Sequence, residues 1–309
     1  MNLNRFQKTA LITLFDTLVL ILIGGLVRAA GAGLGCPDWP KCFGMWIPPA
    51  SAAELPAGFD ESMFNPLHTW LEYVNRLVGV LIGLLITITF ALSLRYRKER
   101  PSVTAASGLA FLLVLFQGWL GGQVVKSGLM PGMITIHMVV AMIILNALLF
   151  ACFSAAKEKI DVWISPSVRK NLLWLGGVLI FLSLIQLVMG TQVREEVDLI
   201  KNVQAKPPRE VWLDMTGILY EIHRSFSWAV VAVSGGIVYY LYRKNISGVL
   251  YATGIVTFGL ILLQMLIGLG MDKLGMPAAL QVLHLVSVAV LFCAEFIFVL
   301  ITWYAKDVK

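Results

Sequence analysis

Charge is what this sequence is short of. Only 14% of its 309 residues are Asp, Glu, Lys or Arg while 58% are hydrophobic, and the mean hydropathy is +0.81. A soluble domain keeps roughly a quarter of its residues charged, so an ordinary water-soluble domain is excluded. The first apolar run carries Asp16 and is too long for a signal-peptide core, which argues against a cleaved signal peptide. The loop holding Cys36 and Cys42 lacks histidine, and the stretch 193–214 lacks cysteine.

What is present is a series of apolar runs. About 20 apolar residues cross the hydrocarbon of a bilayer, and eight stretches meet that length: 9–28, 66–94, 103–125, 133–156, 170–192, 215–242, 248–271 and 278–304. With an even number of spans both termini share a side. Fourteen of the 24 Lys and Arg gather there, among them Arg95, Arg97, Lys98, Arg100, Lys157, Lys159 and Lys309, against eight in the opposite loops. Arg76 and Arg224 sit at the heads of spans two and six. The excess predicts cytoplasmic termini in a cell (inner) membrane. It also accounts for the net charge of +6, which is therefore no sign of a nucleic-acid partner.

Cys152 and Cys293 lie inside spans and read as small core residues. Cys36 and Cys42 lie in the first outer loop, "GCPDWPKC", on the face where disulfides persist. A disulfide is the expectation there, with a metal site or two inert thiols as the competing readings.

The chain also repeats itself. Gln117 precedes His137 by twenty residues, and Gln264 precedes His284 by twenty. Between them Gly121 matches Gly268, and Gly128 matches Gly275. "GGLVR" closes span one where "GTQVR" closes span five, and "EYVNR" in span two meets "EIHR" in span six. The expected fold is thus an all-α membrane protein of eight transmembrane helices, in two pseudo-symmetric four-helix bundles with the same orientation. The expected halves are 1–160, with an outer loop about 29–65, and 161–309.

All four histidines fall near the outer ends of even-numbered spans: His68, His137, His223 and His284. Counted from Asp214 and Pro277, His223 and His284 lie at matching depth, roughly 10 to 14 Å into their helices. Two neutral imidazoles facing each other across a bundle suit the iron of a porphyrin; the blander alternative is hydrogen bonding within the helix packing. Arg224 follows His223, and Arg76 holds the same place in span two, where guanidinium groups would pair with haem propionates or simply reach the interface.

The halves are not equivalent. Aligning Arg76 with Arg224 sets Asn75 opposite His223, so the first half offers one strong iron ligand, His137, where the second offers two. His68, Glu72 and Asn75 lie at i, i+4 and i+7 on one stripe. A closed bis-His site suits electron transfer; an open position with a carboxylate in reach suits chemistry.

"GGLVRAAGAGLGCPDWPKCFG", "TWLEYVNRLVG", "GMITIHM", "YEIHR" and "LQVLHL" together resemble the haem A synthase family, over essentially the whole chain. The resemblance implies an eight-helix membrane oxidoreductase that converts the C8 methyl of haem O to a formyl group by successive hydroxylations, giving haem A for terminal oxidases. It implies a haem b cofactor on His223 and His284, substrate haem on His137, and a catalytic carboxylate at Glu72. Haem O synthase and terminal-oxidase assembly factors are the partners it suggests, with a homo-oligomer also open. The family often has histidine at the place of Asn75; His68 is the other candidate for that ligand, two turns nearer the surface. Two readings stand beside it. A di-haem b-type cytochrome oxidising quinol would call for four equivalent ligands, and a parallel-repeat transporter for helices broken near the midplane.

Overall fold

A computed structural model describes residues 3–201, 203, 205 and 207–308 of the chain; Lys309 lies outside them. Eight helices are long and apolar enough to cross a membrane. We number them α1 (Arg5–Ala29), α2 (Pro66–Ser93), α3 (Pro101–Lys126), α4 (Met133–Ser154), α5 (Pro166–Lys201), α6 (Ile218–Arg243), α7 (Val249–Lys273) and α8 (Ala278–Tyr304). The protein is a multi-pass, all-α membrane protein. None of the eight helices is interrupted, as the transporter reading would have required.

Their boundaries follow ordinary helix chemistry. Asn4 and Gln7 form a reciprocal capping box at the head of α1. Pro66, Pro101 and Pro166 open α2, α3 and α5, where the missing N–H has no intrahelical acceptor to lose. Asn65 caps α2 by accepting the His68 N–H at 3.1 Å.

The largest boundary difference from the sequence expectation is at the end of span five. Span five was expected to end at 192, yet α5 continues to Lys201. The extra turns are charged, and Asp198 pairs with Arg194 at 3.0 Å and Lys201 at 3.1 Å along the helix. Their apolar face is buried: Val193 and Val197 pack with Trp212, Leu213, Tyr220 and Met276. The stretch expected to be loop is thus part helix, and with the short helix Trp212–Met215 it caps its bundle. Since α6 begins at Ile218, His223 and His284 sit only about 7.5 and 9 Å into their helices. They are shallower than the sequence suggested and still at matching depth.

The chain forms two compact units, dividing after Leu148; sequence had placed the division at 160. In the second unit α5 packs on α6, α6 on α7, α7 on α8, and α8 back on α5, closing a four-helix ring. Leu172, Leu179, Val230, Ile237, Leu250, Ile261, Leu291 and Phe298 are among the residues that fill it. The first unit's core joins α2, α3 and α4 through Ile82, Ile86, Ala110, Val140, Ile144 and Leu148. At the termini end of the second unit, Lys306 pairs with Asp161 at 2.9 Å and Arg169 with Asp307 at 2.8 Å.

Candidate functional site

Three of the four histidines are presented by one repeated device. Gln117 Nε2 on α3 donates to the backbone carbonyl of His137 at 2.9 Å. Gln186 Nε2 on α5 donates to that of His223 at 2.9 Å, and Gln264 Nε2 on α7 to that of His284 at 3.1 Å. One turn beyond each glutamine a glycine faces the imidazole. A Cβ on Gly121, Gly190 or Gly268 would lie 3.7, 3.1 or 3.9 Å from the Cε1 of its histidine. The glutamine fixes the histidine's backbone and the glycine makes room for its ring.

The fourth copy, between α1 and α2, lacks both polar members. Leu20 stands where Gln186 does, Gly24 where Gly190 does, and Asn75 where His223 does. Gly24 still faces its partner, with a Cβ 3.8 Å from Asn75 Oδ1. Histidine and its clamp are therefore missing together.

His137, His223 and His284 are half-buried, and the Nδ1 of each is sealed from solvent with no hydrogen-bond partner among the described residues. Asn75 Oδ1 is in the same condition. Buried polar atoms are nearly always partnered, so each orphan calls for an explanation such as a bound group. Among the described residues no cluster of three or more His, Cys, Asp or Glu could hold a bare metal ion. Imidazoles presented singly in this way would fit a metal whose remaining ligands come from a prosthetic group. In the second unit His223 and His284 belong to α6 and α8, which stand diagonally across the four-helix ring. His68 is in the first turn of α2, seven residues before Asn75, with its backbone against Gly35.

Above this array in the first unit sits the disulfide loop. Cys36 and Cys42 are bonded, and both are fully buried against Phe43, with Phe59, Phe64 and Tyr73 around them. Asp38 shapes the turn by accepting the N–H of Phe43 at 2.6 Å and of Gly44 at 2.9 Å. Gly35 touches α2 so closely that a Cβ would lie 2.4 Å from the His68 carbonyl oxygen, which only glycine permits. Trp39 covers Gly122 of α3, where a Cβ would come within 2.9 Å of the indole.

Glu72 and Arg76 bind this loop to α2. Glu72, 4% exposed, accepts the Cys36 N–H on Oε2 at 2.9 Å and pairs with Arg76 through Oε1. Arg76 Nη1 donates to the carbonyls of Asp38 and Lys41, both at 2.8 Å, and Nη2 reaches that of Cys36 at 3.4 Å. Only Arg76 Nε has no partner among the described residues. Arg224 is exposed, with its guanidinium 5.4 Å from the Tyr220 ring centroid. Sequence reasoning missed Gln186 and Gly190, although "QLVMG" repeats the Gln-x-x-x-Gly spacing of "QGWLG" and "QMLIG".

The fold and these histidines define a multi-pass membrane protein whose helices present half-buried imidazoles with sealed Nδ1 atoms. Its family can be stated more closely: residues 7–296 match the COX15-CtaA family of cytochrome oxidase assembly proteins, and the chain belongs to it. A relative from Shewanella oneidensis named Heme A synthase is 26% identical over 88% of this chain and 89% of its own length. Proteins of that name from Bacillus mycoides and Bacillus cereus are each 27% identical over 94% of this chain and 91% of theirs.

Proposed function

We propose that this chain is a haem A synthase, a membrane oxidoreductase that oxidises the C8 methyl of haem O to a formyl group. One observation carries the reading: the Gln–Gly–His clamp is complete twice in the second unit but once in the first, the unit that also holds Glu72. His223 and His284 are the axial ligands proposed for a haem b, and His137 the ligand for the substrate haem. Asn75 leaves the substrate's other face without a strong protein donor, and His68 lies too near the loop to replace it without shifting the haem outward.

Haem, when bound, supplies the one-electron chemistry that no side chain here can perform. The rest falls to the protein. Glu72 is the residue proposed to hold or accept the proton released as the methyl carbon is oxidised. Arg224, exposed beside the Tyr220 ring, is the proposed partner of a propionate carboxylate, and the Nε of Arg76 is proposed for the same purpose. The substrate half is proposed as 1–160, the haem b half as 161–309, with cytoplasmic termini. Haem O synthase and oxidase assembly factors are the partners that such an activity would call for.

The test is pigment extraction from membranes carrying the chain and supplied with haem O. Recovery of haem A supports the assignment. Bound haem b with no conversion of haem O would replace it with the di-haem cytochrome reading. His223→Ala and His284→Ala should each sharply reduce haem retention, read from the low-spin absorption spectrum.

A further inference from the structure

The two units differ at a second place, deep in their cores. Ile86, Ala110, Val140 and Leu148 belong to the apolar core of the first unit. The alignment that matches Arg76 with Arg224, Gln117 with Gln264 and His137 with His284 sets Ser234, Thr257, Ser287 and Glu295 at those positions. All four are buried, Glu295 to 1% exposure. The repeat therefore packs well with leucine where the second unit has a carboxyl group, so packing does not require the acid.

Glu295 Oε1 accepts a hydrogen bond from Ser183 Oγ of α5 at 2.6 Å. Its Oε2 is buried with no partner among the described residues. Eleven residues separate it from His284 on α8, close to three full turns, so the two share one helix face. Among the described residues, Ser183 is the one whose side chain hydrogen-bonds to it. From α6 the equivalent core position contributes only the Ser234 hydroxyl, which donates to the Val231 carbonyl. An isolated carboxylate in such a place is strongly disfavoured unless a positive charge lies near.

We propose that Glu295, held by Ser183, is a proton-binding site coupled to the redox state of the haem in the second unit. This rests on His223 and His284 being that haem's ligands. Ferric haem carries one more positive charge than ferrous haem, and that charge sustains the carboxylate. When a one-electron donor reduces the iron, Glu295 takes up one proton from bulk water, its carboxylate becoming a carboxylic acid. When the electron leaves, the O–H bond breaks and the proton returns.

The experiment is a potentiometric titration of the purified holoprotein as a function of pH, following the low-spin haem band with an electrode as electron source. In the wild type the midpoint potential should fall with rising pH, approaching about 59 mV for each tenfold fall in proton concentration. In Glu295→Gln, close in shape, the slope should flatten while the spectrum stays unchanged. An equal slope in both would overturn the proposal. Redox-difference infrared spectroscopy of the wild type, which no folding defect can confound, should show a protonated-carboxyl carbonyl band appearing on reduction. Its absence would also overturn the proposal. Loss of the ligand assignment would appear separately, as His223→Ala and His284→Ala proteins with unaltered low-spin spectra.

Discussion

Glu72 is held from two sides, by the Cys36 N–H and by Arg76. It is not the exposed helix pair, worth about 0.3–0.5 kcal/mol, that sequence alone would allow. With Glu72 and Arg76 side chains 5% and 14% exposed, removing one partner strands a buried charge, at about 3–5 kcal/mol. Glu72→Ala would therefore confuse folding with chemistry. Glu72→Gln keeps one oxygen to accept the Cys36 N–H or an Arg76 donor, and leaves the Cys36–Cys42 bond to report on the loop. We expect a folded protein with the disulfide formed and an intact haem b spectrum, accumulating haem O or a partly oxidised product. Pigment analysis by chromatography checks this, and normal haem A output would remove Glu72 from the chemistry.

Between elements, the clamp makes graded predictions. Gly121 and Gly268 leave ordinary contact distance to their imidazoles, whereas a Cβ at Gly190 would sit 3.1 Å from His223 Cε1. Gly190→Ala should thus displace its ring and lower haem occupancy severalfold, with Gly121→Ala and Gly268→Ala much milder. Equal losses in all three, measured as haem per protein, would show that ring clearance is not the device. Completing the fourth copy is the converse test: Leu20→Gln with Asn75→His should convert substrate haem bound in the first unit to a low-spin, bis-imidazole spectrum, more fully than Asn75→His alone. Much of this was legible in sequence, because Gln117–His137 and Gln264–His284 each lie within one helical hairpin and keep a constant spacing. Gln186 and His223 are joined by a longer, charged connection, so the third copy shows no such interval. Glu72's bond to Cys36 depends on a loop folding back over 36 residues, which periodicity does not encode. The extension of α5 escaped for a different reason: hydropathy treats charged residues as the end of a span, although Arg194 and Asp198 pair along a continuing helix. Glu295 was overlooked because one acid within "LFCAEFIFVL" leaves the span unbroken.

At the scale of the whole molecule, each bundle carries its own cap at the end away from the termini: a disulfide loop on the first, a helical extension on the second. Closing so short a loop as Cys36–Cys42 stabilises by about 2 kcal/mol in the chain-entropy model. Such a bond persists only on the oxidising side of a membrane, which is the side that the excess of Lys and Arg around the termini also assigns to these loops. The proposed orientation, with cytoplasmic termini, therefore predicts where each thiol reacts, and thiol chemistry can test it. Cys152 and Cys293, buried within α4 and α8, should stay silent to a membrane-impermeant maleimide. In intact cells the reagent should label nothing in this chain until an impermeant reductant has acted long enough for the buried loop to open, and should then label Cys36 and Cys42. Labelling before reduction would show that the bond does not form in the cell. Labelling that requires permeabilised cells would place the loop in the cytoplasm and reverse the topology, with the histidine-bearing helix ends facing inward.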